Sequence, residues 1–263
     1  MTADELGELL AARDLYRAAS GASAGPEHLE CSGALALVYP QVPARELNRI
    51  LGFGLDQPAT EADLDALIDF TLQRGAPATV SLAPAAGPSL ATIEGWLRRR
   101  GFAEGYPWQK FRHAGQPARP AATQLAIEET ADGPEFAATL LKGYGMPPLL
   151  QEWVALLPGR PRWHCFVARD RAGGEAVAAG ALYAERGIGW LGLAATLPEQ
   201  RGRGAQGAIL AARMARARAL GCTEVVTETG VPGPAGPGPS YRNILRAGFV
   251  PAYVRPNWER AAR

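Results

Sequence analysis

A short pattern late in the first half of this chain recurs close to its end. Arg99, Gly101, Phe102 and Tyr106 return 147 residues later as Arg246, Gly248, Phe249 and Tyr253, and aromatic Phe111 falls on aromatic Trp258. A repeat of that period restricts the chain to two copies of one plan. The length of 263 residues agrees, since at about 150 residues per domain it makes one large or two modest domains. Residues 113–122 have no periodicity and are rich in Pro, Gly and Ala, as a linker is. The expected boundaries are therefore 1–115 and 122–263.

The elements upstream of the repeated pattern fall in step. In the second half, residues 124–130 alternate as a strand. Two helical stretches follow at 134–143 and 148–157, then strands at 163–169, 176–184 and 187–196 separated by Gly-containing turns. A helix after the glycines at 202–207 runs to Leu220 and stops at Gly221. Next come a strand at 224–229, a Pro/Gly loop at 230–239, a helix capped by Ser240 and ending at Gly248, and an extended segment at 250–258. The first half echoes this with a strand at 32–39, a helix at 63–74, a strand at 78–82 and a helix at 89–100. The fold class expected is α/β (α+β), each unit a mixed central sheet flanked by helices.

Composition narrows the function. Lys plus Arg total 27 against 26 acidic residues, a net charge of +1, without the basic excess of a nucleic-acid binder. At 47% apolar and 20% charged the chain reads as globular. It has no apolar run near the roughly 18 residues of a membrane span, and its start is acidic (Asp4, Glu5, Glu8). A cytoplasmic protein is expected, with no membrane partner. Cys31, Cys165 and Cys222 are too few and too scattered for a disulfide framework. His28 and Cys31 have metal-like spacing but no second ligand pair, so no metal site is expected.

The strongest local signal is Arg201-Gly202-Arg203-Gly204-Ala205-Gln206-Gly207, between a strand and an Ala-rich helix. A helix start carries N–H groups without partners and a partial positive charge, so it cradles phosphate oxygens. Glycines at 202, 204 and 207 clear the approach, and Arg201 and Arg203 add donors suited to phosphate. Read alone, the same segment is also a plain tight turn. The corresponding helix of the first half begins among Asp56, Glu61, Asp63 and Asp65, carboxylates that satisfy its dipole and repel a diphosphate. Only the second half is expected to bind a phosphorylated cofactor.

With these residues the second half, about 122–260, resembles the GNAT superfamily of N-acyltransferases. Its pattern is Gln/Arg-x-x-Gly-x-Gly/Ala after a meander, followed by a strand and a helix ending in Gly-Phe; Arg201, Gly204 and Gly248-Phe249 match. The last motif position is Gln206 in place of Gly or Ala. The first half looks like a degenerate copy, so the whole is similar to tandem-GNAT proteins. The resemblance implies acetyl-CoA as co-substrate. It puts the backbone N–H of Ala194 at the thioester carbonyl, Thr196 on the pantetheine arm, and Gly202, Arg203, Gly204, Ala205, Gln206 and Gly207 around the diphosphate. Ser240 falls near the cofactor arm.

The resemblance also points to the chemistry. Transfer to an amine needs a deprotonated nucleophile, an oxyanion donor and a leaving group. Where related enzymes carry a base, this chain has Trp190 on one strand and Glu228 on the next, which makes Glu228 the candidate base, acting through water. The usual acidic tyrosine is replaced by Ile244; Tyr241, a helical turn earlier, is the candidate acid and equally a packing residue. A covalent route through Cys165 or Cys222 lacks an activating histidine. Residues 142–148 are expected to overhang the acceptor, with Trp163, Tyr183 and Trp190 lining it or forming core. The expected function is acetyl-CoA-dependent N-acetylation of a small-molecule amine by direct attack. Its rivals are a noncatalytic acyl-CoA sensor or scaffold and a protein or peptide N-acetyltransferase. The sequence leaves the oligomeric state open, a homodimer included.

Overall fold

The computed structural model describes residues 1–19, 25–113, 123–171 and 173–262; the expected linker, apart from His113, lies outside them. In chain order the elements begin with α1 (Ala3–Ala18), β1 (Glu27–Cys31), β2 (Ala34–Val38), β3 (Arg49–Leu51), α2 (Glu61–Leu72), β4 (Ala78–Ser81), α3 (Leu90–Arg99), β5 (Ala103–Glu104) and β6 (Trp108–His113). They continue with β7 (Leu125–Glu129), α4 (Gly133–Tyr144), α5 (Gln151–Val154), β8 (Trp163–Asp170), β9 (Ala178–Glu185), β10 (Ile188–Trp190) and β11 (Ala194–Thr196). The last are α6 (Ala205–Ala219), β12 (Glu224–Gly230), α7 (Pro239–Arg246), β13 (Val250–Arg255) and β14 (Asn257–Arg260). Among the described residues no helix is long and apolar enough to cross a membrane.

The chain forms two compact units, Met1–Gln109 with Tyr253–Arg263, and Lys110–Ala252. This corrects the boundaries expected at 115 and 122. The chain enters the second unit inside β6 and returns to the first inside β13. Pro256 interrupts the extended segment expected over 250–258, so it is two strands, and β14 pairs with β4 (Trp258 opposite Val80) and β5.

In the first unit the sheet order is β1-β2-β3-β4-β14-β5. Ser32 (φ 50°) and Gly33 (φ 78°) both adopt positive φ, the signature of a two-residue hairpin turn. The strand expected from residue 32 therefore starts at Ala34. Antiparallel β2–β3 gives way to parallel β3–β4 across α2, and the core gathers Ile50, Leu64, Leu67, Val80, Leu97 and Trp258.

The start of α2 is closed from within. Thr60 Oγ1 accepts from the Asp63 N–H while the Asp63 carboxylate accepts from the Thr60 N–H, a reciprocal capping box. Ser32 Oγ also donates to Asp63 at 2.6 Å. These donors hold the Asp63 carboxyl down at about 2. Of the other acidic residues, Glu61 and Asp65 pair with Arg99 and Arg100. Thr60→Ala is expected to cost about 1 kcal/mol, read from a urea midpoint shift.

The second unit carries the meander β7-β8-β9-β10, antiparallel throughout. After α6 the chain adds β12 parallel to β10, and the full sheet order is β13-β6-β12-β10-β9-β8-β7. Leu210, Met214 and Ala217 of α6 pack with Val225, Ile244 and Phe249 on one face. The helix expected over 148–157 shrinks to a 3-10 turn, Pro148–Leu150, and the single turn α5. The strand expected over 187–196 breaks into β10 and β11. Tyr183 and Gly180 of β9 face Trp190 and Ala194, so residues 191–193 oppose only 181 and 182. That is a β-bulge.

Candidate functional site

The bulge opens the sheet. β10 pairs with β12, whereas β11 pairs only with β9 among the described residues. Leu191 closes the paired part: its N–H donates to Val226 O at 2.9 Å and its carbonyl accepts from Thr227 Oγ1 at 2.8 Å. Beyond it Leu193 sits at φ 48°, a left-handed conformation that costs a side-chain-bearing residue about 1–2 kcal/mol. Such strain is commonly kept at functional sites.

A cleft of about 1050 Å³ starts at this point. Its walls are Ala194, Ala195 and Thr196 of β11, residues 200–202 and 204–207, Gly143 and Tyr144 of α4, and Pro239, Ser240, Asn243, Arg246 and Ala247 at α7. The structure thus brings together nine of the ten residues expected to hold the cofactor. Arg203 does not join them, because its guanidinium turns to Asp170 and Gln200.

Gly204 is the N-cap of α6 at φ 81°, with no side chain capping it, and Gly202 lies at φ 82°. Left-handed backbone at both positions suits glycine. The first turn of α6 therefore presents uncapped amides and a partial positive charge to the cleft, in contrast to the closed α2. A second contrast runs through the repeat. Arg99 is held by Glu61, whereas its counterpart Arg246 lines the cleft, bonded to Asn243 Oδ1 at 3.1 Å.

Gln206, the departure from the family pattern, points its amide at α7. Its Nε2 donates to Ser240 Oγ at 3.2 Å and its Oε1 accepts from Asn243 Nδ2 at 2.7 Å. It thereby ties the two helices that form one wall. Ser240 is not the helix cap expected; α7 begins at Pro239 with Gly238 as N-cap. The Ala194 N–H donates to Tyr144 Oη at 2.8 Å. The amide is thus aimed at a polar oxygen, supplied by the segment expected to overhang the acceptor.

The two catalytic candidates lie elsewhere. Glu228 follows the point where the β10–β12 pairing ends, but its Oε2 accepts from Lys110 Nζ at 2.6 Å, with side-chain exposures of 7% and 2%. It is absent from the cleft wall. Tyr241 packs edge-on against Phe111, ring centroids 5.0 Å apart. Trp163, Tyr183 and Trp190 stack as a buried cluster and serve as core. Burial pushes the thiols of Cys165 and Cys222 up, away from nucleophilic thiolates, and His164 engages Glu129 and Arg216.

Sequence reading missed Asn243 and Arg246 of the cleft wall, and it missed the burial of Arg213. Arg213 stands on the buried face of α6 between Leu210 and Ala217. A charge on an apolar helical face was the available signal.

With its split mixed sheet and glycine-capped helix in the second unit, the chain has the fold of GNAT structures, one of them a tandem GNAT protein. Solved structures with this fold match nearly the whole chain. A GCN5-related N-acetyltransferase from Sphaerobacter thermophilus aligns at 15% identity over 98% of this chain and 92% of its own, with a TM-score of 0.62. One from Kribbella flavida aligns at 19% identity over 95% of each, TM-score 0.58. A tandem GNAT protein from the clavulanic acid biosynthesis pathway aligns at 14% identity over 99% and 96%, TM-score 0.59. No protein-family model and no curated protein matches the sequence.

Proposed function

We propose that the chain is an acyl-CoA-dependent N-acyltransferase whose second unit uses acetyl-CoA to acetylate the amine of a small molecule. The observation that carries this reading is one cleft joining an uncapped helix start to the strand edge that the bulge frees. Neighbours of the same fold are described as acetyltransferases, which supports the class of reaction.

When bound, the cofactor supplies a thioester whose thiolate departs readily, since a free thiol ionises near pH 8.5. Residues 204–207 and Gly202 offer backbone amides to its diphosphate, and Arg201 and Arg246 offer cationic donors. The β11 edge at Ala195 and Thr196 runs along the arm. Ala194, released by Tyr144, turns its N–H to the developing oxyanion. An alkylamine ionises near pH 10.4 and must lose a proton before attack. Among the described residues the cleft wall contains no carboxylate and no histidine, so the proton leaves to water. Tyr144 and Gly143 cover the acyl end of the cleft, which favours a small acceptor over a polypeptide.

The pairing of Glu228 with Lys110 and the packing of Tyr241 favour one second reading, a noncatalytic acyl-CoA sensor. Thiol release from acetyl-CoA over a broad panel of small amines separates the two. Release with at least one amine is the expected result; tight binding of acetyl-CoA without release for any amine selects the sensor.

A further inference from the structure

Arg213 is fully buried, and among the described residues no carboxylate pairs with it. Burying a cation without a counter-ion is costly, and the same helical face is otherwise apolar. Burial lowers its pKa to about 10, which leaves it charged at neutral pH. Its Nη1 donates to Ala181 O at 2.9 Å and to Gly192 O at 3.0 Å, while Nε has no partner. Both acceptors belong to the bulge, one from each strand. Gly180 leaves the room: a Cβ there would lie 2.7 Å from Ile209 Cγ2 and 3.3 Å from Arg213 Cζ. On the adjoining strand, a Cβ on Gly192 would overlap the Trp190 indole. The bulge carbonyl is therefore held from two sides, two residues before the amide of Ala194.

We infer that Arg213 is a positioning residue for acyl transfer: its guanidinium pins the bulge so that the Ala194 N–H is aimed, and it sets a buried positive charge behind that amide. The charge lies near the spot in question, because the place a Cβ on Gly180 would take is 3.2 Å from Ala194 Cβ and 3.3 Å from Arg213 Cζ. A preorganised donor backed by a buried cation polarises a carbonyl more than the donor alone. This inference rests on the proposed function, which puts a thioester oxygen at that amide.

The test is the infrared carbonyl stretch of [1-13C]acetyl-CoA bound to the full chain, with binding followed separately by thermal shift. The wild type is expected to move the stretch below its frequency in water. Arg213→Met is expected to bind acetyl-CoA within about threefold of the wild type, because the diphosphate cradle is intact, and to lose that shift. Arg213→Lys, which keeps the cation, is expected to restore a large part of it. If the methionine variant does not fold, Arg213→Gln, which keeps an N–H donor and removes the charge, carries the same comparison. A neutral variant that binds with the wild-type frequency overturns the inference, as does a bound wild-type carbonyl at the aqueous frequency; both leave the acyl-CoA reading standing. A wild type that gives no thermal shift with acetyl-CoA overturns that reading and this inference together.

Discussion

Gly207→Glu is expected to abolish the thermal stabilisation that CoA gives the protein and to weaken CoA binding by about two orders of magnitude, about 2.7 kcal/mol, with the chain still folded. Gly207 lies in the first turn of α6 and lines the cleft. It is not among the residues with positive φ, so a side chain there meets no left-handed strain. A carboxylate in a helical first turn suits the dipole of the free protein. The same carboxylate would meet a diphosphate with like charge, as the acidic start of α2 would. Differential scanning fluorimetry with and without CoA checks this. Unchanged stabilisation in the variant would remove the α6 turn as the phosphate site.

Lys110→Met is expected to destabilise the protein by about 3–5 kcal/mol, because it takes the ammonium from a carboxylate buried beside it. Glu228→Gln is expected to lose a comparable amount. The double variant Lys110→Met, Glu228→Leu should recover much of either loss, since removing both charges together leaves neither desolvated alone. Urea unfolding of the three variants measures this. Over the pH range where Glu228→Gln stays folded, its rate profile should keep the wild-type shape, as expected of a residue whose carboxylate is already engaged. A loss confined to neutral pH would return Glu228 to the role of base.

The sequence made the architecture legible wherever burial followed a simple period. The meander, the α6 crossover and the Gly-Phe helix ends announced themselves through alternation, glycine stops and the repeat. Helix α1 did not, because its inward face carries Glu5 and Glu8, paired with a fully buried Arg255 from the far end of the chain. Only the tertiary structure supplies the partner that makes such a face stable. The strand partition was hidden for a related reason. Residues 250–258 read as a continuation of the second half, and nothing local says that β14 completes the sheet of the first.

At the cleft, the glycines could be read from motif and spacing because their place there depends on backbone geometry, and Arg201 adjoins them in sequence. Arg203 has the right chemistry, yet Asp170 competes for it. Glu228 has a suitable place on its strand, yet β6 brings Lys110 against it. Both outcomes depend on side chains distant in sequence, as does the placement of Arg213 under the bulge.

The two units differ at one helix start, uncapped by any side chain in α6 and closed by Thr60 and Asp63 in α2. Amide hydrogen exchange measured with and without saturating CoA tests this difference most directly. Protection confined to the amides of 202–208 and the β11 edge, with the amides of 58–64 unchanged, is the expected outcome. Protection at 58–64, or none anywhere, would contradict it.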